Sequence, residues 1–147
     1  MNLIPLALVV ALVVQVSCQL IKFAVNSVQS KTLAWSSLAT FGGMPSAHSA
    51  FVTSLAASVG LLAGFASNEF AIAVVFSAIV IFDAYKLRGN VEKQARVVNR
   101  LQELHLPAEQ RTAISEHVGH TLPEILAGIL WALIVAVPLV LWLRSLM

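Results

Sequence analysis

The chain has 147 residues, of which 59% are hydrophobic and only 11% charged, against about 25% charged in an ordinary soluble domain. Its mean hydropathy is +0.86. That composition excludes a disordered chain and a disulfide scaffold, and a formal charge of +2 from nine basic and seven acidic groups leaves no electrostatic footprint for nucleic acid. An integral membrane protein remains.

No charge precedes Lys22, and Leu3 to Ile21 is an apolar run of about 19 residues, enough at ~1.5 Å per residue to cross a ~30 Å hydrocarbon core. A cleavable signal peptide would need a basic start, and Met1 to Leu20 holds neither Lys nor Arg, so a retained span is expected. The single cysteine, Cys18, lies inside this run and carries no redox or metal argument. A second span is expected within Ser49 to Ala66, where Gly60 and Gly64 suggest close helix packing. Phe70 to Phe82 covers only about 20 Å before Asp83, so it is either the short arm of a hairpin or draws Asp83 partway into the protein. Beyond it, Val91, Ala95, Val98 and Leu101 recur at helical spacing while Lys93, Arg96 and Arg100 fall elsewhere on the wheel, the pattern of an amphipathic helix on the membrane surface or against the bundle. Ile125 to Leu143 is the last span.

The expected fold is therefore an all-α, polytopic helical bundle of about four spans plus an amphipathic surface helix, one unit over residues 1–147 with no internal repeat or linker. Four spans put the loops Lys22–His48 and Lys86–Glu124 on one side. That side then holds Lys22, Lys31, Lys86, Arg88, Lys93, Arg96, Arg100 and Arg111, against Arg144 alone on the other. The positive-inside rule makes it cytosolic, or the matrix or stroma side in an organelle.

The chemistry concentrates in those two loops. In Gly42-Gly43-Met44-Pro45-Ser46-Ala47-His48 the glycines permit a tight turn, Ser46 is a natural N-cap, and the helix start offers free amides and a positive dipole end to a phosphate. The alternative is a capped turn entering a membrane helix. In His120-Thr121-Leu122-Pro123-Glu124, residues four apart on a helix share a face, and a glutamate on one imidazole nitrogen leaves the other oriented and more basic, as a nucleophile requires. The alternative is an interfacial pair that merely caps the span. Pro123 is tolerable only if the helix begins there. Asp83 and Arg88, at the end of an apolar run, are the loop charges expected to have a partner or a task.

Taken together, Gly42–Ala50, Asp83-Ala84 with Arg88, Lys93-Gln94-Ala95, Asn99, and Gly119-His120-Thr121 with Glu124 and Gly128 resemble the divergent branch of the type 2 phosphatidic acid phosphatase superfamily, which also includes the vanadium-dependent haloperoxidases. The resemblance runs from Gln19 and Lys22 to Gly128. It implies a helical bundle with a phosphomonoesterase site that uses neither metal nor cofactor. It also implies that His120 attacks phosphorus with Glu124 orienting it, that His48 protonates the leaving group, and that Ser46 and Lys22 hold phosphate. Two superfamily arginines are missing: Gln29 and Ser30 stand where an Arg-Pro should follow Lys22, and Ala113 and Ile114 where a Ser-Arg should precede the nucleophile. Arg88 and Lys93 are the expected substitutes, with Asp83 holding one of them. Lys86 and Glu92 stand where glycine is expected.

The expected substrate is a lipid phosphate such as phosphatidylglycerophosphate, phosphatidic acid or a polyprenyl phosphate. The expected partners are that substrate and membrane lipids, with no nucleic acid, and homo-oligomerisation is left open. The rival readings are a non-catalytic lipid-binding or assembly protein that keeps the fold and, further off, a vanadate-dependent haloperoxidase.

Overall fold

The computed structural model describes residues 5–33, 43–116 and 118–146. Helix α1 spans Leu6–Ser30, α2 Ala47–Ala63, α3 Asn68–Phe82, α4 Arg88–His105 and α5 Leu122–Ser145. A π-helical turn, Asp83–Leu87, joins α3 to α4, and a 3-10 turn at Ala108–Gln110 follows α4. Among the described residues there is no strand. The protein is a helical membrane bundle. Its α1, α3–α4 and α5 are long and apolar enough to cross a bilayer, and α2 is a shorter apolar helix.

The shortest helix is also the most enclosed. Ala47, Ser49, Ala50, Val52, Ser54, Ala56, Ser58 and Gly60 of α2 are buried, and α2 packs against α1, α3 and α5. These are small residues, which let backbones approach closely where lipid provides no hydrophobic drive between helices. Such a helix meets protein more than lipid, so it need not match the bilayer thickness. Ser54 donates to the Phe51 carbonyl at 2.8 Å and Ser77 of α3 to the Val52 carbonyl at 2.9 Å, whereas the buried Ser58 hydroxyl has no hydrogen-bond partner among the described residues. Gly64 ends α2 with φ of +98° and serves as a helix stop, not the packing position suggested by its spacing from Gly60. Residues 64–67 then turn the chain into α3, so α2 and α3 form the hairpin that the short third run requires.

Two features differ from the linear reading. The first span extends past Lys22, to Ser30. Residues 1–4, which include the expected start of that span at Leu3, lie outside the described residues. The amphipathic segment is α4, but it continues from α3 without interruption, and Asn68–His105 forms a 38-residue rod of about 57 Å, nearly twice a bilayer core. Its polar half therefore stands clear of the hydrocarbon.

A buried stripe on α1 carries the fold into the site. Val10, Val14 and Cys18 recur every four residues, are fully buried and pack in the core with Ala132, Ala136 and Val140 of α5. Lys22 is the next residue on the same stripe and is only 1% exposed. Position on the helix puts a cation inside the protein at one end of the bundle.

Candidate functional site

The start of α5 is built by Thr121-Leu122-Pro123-Glu124, a capping box with Thr121 as N-cap and Glu124 as the third helical residue. Pro123 sits in the first turn, where its missing N–H costs nothing. His120 therefore precedes the helix, so its pairing with Glu124 does not come from a shared helical face. It comes from the cap: Glu124 Oε2 accepts from the Thr121 amide at 3.1 Å and meets His120 Nδ1 at 3.0 Å. The His120 amide donates to the Ala84 carbonyl at 3.1 Å, which ties it to the π turn. A carboxylate only accepts, so Nδ1 carries the proton and Nε2 keeps its lone pair. His120 is 5% exposed, and among the described residues Nε2 is buried with no hydrogen-bond partner. A basic nitrogen with its other side fixed and its lone pair unspent is the chemical requirement for attack on an electrophile.

Opposite it stands the start of α2. Gly42 lies outside the described residues, and Gly43 takes φ of +98°, with Lys22 Cε 3.2 Å from where a Cβ would be. Ser46 is the N-cap, fully buried, and its Oγ accepts from the amide of Ser49 at 3.4 Å and from the Ser49 hydroxyl at 3.1 Å. Its amide donates to the Glu124 carbonyl at 3.0 Å. That approach needs Gly128, since a Cβ there would lie 2.3 Å from the Ser46 carbonyl oxygen. The two helix starts are thus bolted together, and the rings of His48 and His120 meet edge to face with centroids 6.0 Å apart.

The cations arrive on different elements. Lys22 and Arg88 lie close enough for their charges to act on both histidines. Arg88 Nε donates to Asp83 Oδ2 at 2.8 Å. On an α-helix residues five apart point about 140° away from each other, whereas a π turn stacks i on i+5, so this pair depends on the π turn Asp83–Leu87. Lys93 is exposed and lines an outer pocket of about 370 Å³ whose wall also includes Glu92, Arg96 and His120.

The extended segment that leads into His120 is clasped to α4. Gln102 donates to the Thr112 carbonyl at 3.1 Å and accepts from the Thr112 amide at 2.7 Å. Asn99 pairs in the same way with Ile114, donating at 2.8 Å and accepting at 3.0 Å, and it also donates to Glu116 at 2.7 Å. Glu92, held by Arg96, accepts from the Gly119 amide at 3.2 Å, and Gly119 lies so close to Gly89 that a Cβ on it would come within 2.9 Å of the Gly89 Cα. Glu92, where glycine was expected, is thus part of the clasp. Gln102, Glu92 and Gly89 had no role in the sequence reading, and Asn99 entered it only through the resemblance. Their one signal is the stripe of polar residues Glu92, Arg96, Asn99 and Gln102 on α4, which does not name a partner.

Burial pushes the His120 pKa below the usual histidine value, with Lys22 and Arg88 acting in the same direction and the hydrogen bond and charge of Glu124 opposing them. The imidazole is thereby kept neutral around pH 7. Among the described residues no group of three or more His, Cys, Asp or Glu is arranged to hold a metal ion.

The sequence signature described as the Divergent PAP2 family matches residues 5–135. The chain belongs to the divergent PAP2 family. A relative, the uncharacterized membrane protein YuiD of Bacillus subtilis (strain 168), is 35% identical over 135 residues, covering 80% of this chain and 85% of that protein. No solved structure matches. Membership in the divergent PAP2 family accounts for the order of the motifs along the chain, and the match takes in every candidate site residue from Lys22 to Glu124.

Proposed function

We propose that this divergent PAP2 membrane protein hydrolyses a lipid phosphomonoester through a phosphohistidine intermediate. The observation that carries the proposal is the His120 imidazole, with Nδ1 held by Glu124, Nε2 buried and unbonded, and the ring 6.0 Å from that of His48. The rings meet edge to face at that separation, so nucleophile and proton donor stand side by side and can address one phosphoryl group bound against the pair. His120 Nε2 attacks phosphorus and the bond to the ester oxygen breaks. Lys22 and Arg88 neutralise the equatorial oxygens together with the amides at the start of α2, and His48 gives its proton to the departing alkoxide. Water, its proton taken by His48, then attacks the phosphohistidine and releases inorganic phosphate.

The location of the cluster at one end of the bundle supports a lipid substrate, whose head reaches the site while its chains stay in the bilayer. The eight basic residues on that side favour the cytosolic face. The test is phosphate release from a panel of lipid phosphates and an aryl phosphate by purified protein in detergent. His120→Ala should be inactive on every substrate. His48→Ala should lose lipid phosphates yet keep part of its turnover of the aryl ester, whose leaving group needs little protonation. Turnover by His120→Ala would sink the mechanism.

A further inference from the structure

Beside the histidine cluster, a groove of about 580 Å³ runs between α1 and α5. Its walls are Ile21 and Val25 of α1 and Ala127, Leu130, Trp131 and Ile134 of α5. Both helices have the length and composition of membrane spans, so the medium outside the groove is hydrocarbon. The indole Nε1 of Trp131 donates to Ser17 Oγ at 3.0 Å, which fixes the ring across the α1–α5 seam, and Asn26 adds one polar side chain to the lining.

The head of the groove is polar and borders the candidate site. Glu124 and Gly43 line it. The first is bonded to His120 at 3.0 Å, and a Cβ on the second would lie 3.2 Å from Lys22 Cε. From Glu124 to Ile134 the groove follows α5 for about 15 Å.

We infer that this groove is the chain subsite of the same reaction: it takes the hydrocarbon tail of a lipid phosphate whose head lies against His120, His48 and Lys22, entering sideways from the bilayer between α1 and α5. The inference rests on the lipid-phosphate reading above. The occupant follows from the two ends of the groove, because an ester that joins a phosphate to an alkyl chain through a few bonds must leave its chain at the mouth when its phosphate is at the head. A bulk lipid would occupy the walls equally well but would have no reason to favour this seam over the exposed face of α3.

The test does not need turnover. Protein in nanodiscs is photolabelled with an alkyl phosphate carrying a diazirine midway along its chain, and the labelled peptides are mapped. Label should concentrate on residues 21–25 and 127–134 and not on the outward face of α3 at Ile72 and Ile79. An excess of plain alkyl phosphate should reduce it at least tenfold, and the matching alcohol should not. Ala127→Trp, which fills the groove, should reduce groove labelling by a similar factor. Ile134→Trp, at the far end, should spare short alkyl phosphates and discriminate against long ones. Label spread evenly over α1, α3 and α5, or competed equally by the alcohol, overturns the inference even if the enzyme is fully active. Head-dependent label in the groove upholds it even if no substrate is hydrolysed.

Discussion

Gly128→Ala tests whether the junction of α2 and α5 is what holds the two histidines in register. An alanine Cβ at this position would stand 2.3 Å from the Ser46 carbonyl oxygen and 3.2 Å from its carbonyl carbon, where ordinary contact begins near 3.4 Å. Both neighbours are backbone, so the helix starts must part by about 1 Å. The Ser46–Glu124 backbone hydrogen bond, now 3.0 Å, would stretch beyond bonding distance, and His48, two residues after Ser46, would move off His120. Overpacking of this kind costs about 1–3 kcal/mol of stability, and a 1 Å error in a reacting pair costs about 10²-fold in rate. Gly64→Ala is the control. It sits at the other end of α2 with φ of +98° and nothing within 4 Å, so an added methyl costs about 1–2 kcal/mol through backbone strain alone. Both variants should melt earlier in detergent, and only Gly128→Ala should lose aryl phosphate turnover. If Gly128→Ala turns over within twofold of the parent, or Gly64→Ala loses as much, the junction does not set the geometry.

Since burial lowers the His120 pKa, the acid limb of kcat/KM should lie below pH 6.5, with activity lost as pH falls through the lowered value and the nucleophile protonates. Glu124→Gln removes the influences that raise it, so the limb should move further to acid while turnover falls at every pH; a limb that moves the other way would contradict the assignment. Arg88→Ala should reduce turnover about 10²-fold or more, whereas Arg100→Ala should do little. Asn99→Ala and Gln102→Ala should each remove at least two hydrogen bonds at about 0.5–1.5 kcal/mol apiece, read as faster hydrogen exchange at the Ile114 and Thr112 amides respectively; unchanged protection would argue against the clasp.

Much of the bundle is legible because charge is so scarce. The gaps before Lys22, between Lys31 and Glu69, and between Glu124 and Arg144 each hold one apolar helix, and Ser46 caps α2 as its residue type suggests. The burial of Lys22 is legible too, once Val10, Val14 and Cys18 are seen to share its stripe. The continuity of α3 and α4 is not, because Asp83 reads as the end of a span whether the helix stops there or leaves the membrane intact. The π turn has no residue signature of its own; it shows only as a single added residue that brings Arg88 beneath Asp83. The clasp is hidden for another reason: Asn99 and Gln102 bond to backbone, and any sequence supplies backbone partners. His120 and Glu124 were paired correctly from their spacing but for a different cause, since T-x-x-E at Thr121–Glu124 forms a cap and the histidine stands outside the helix.

Arg88 and Lys93 were expected to stand in for the missing superfamily arginines; Arg88 is held by Asp83, and Lys93 faces a pocket that His120 also lines. Residues five apart on an ordinary helix diverge by about 140°, so one helix cannot aim both at a single phosphate. Arg88 is turned by the π bulge toward the histidines, whereas Lys93 opens onto the outer pocket with Glu92 and Arg96. In the proposed mechanism Arg88 is complemented by Lys22, buried on another helix and backed by Gly43. Two cations, one from α1 and one from the start of α4, lie close enough to act on both histidines, and a charge interacts more strongly where it is buried than where it is exposed. In the proposed mechanism depth at Lys22 offsets the loss of arginine in the loops, and Lys93 meets the part of the substrate that lies in the outer pocket.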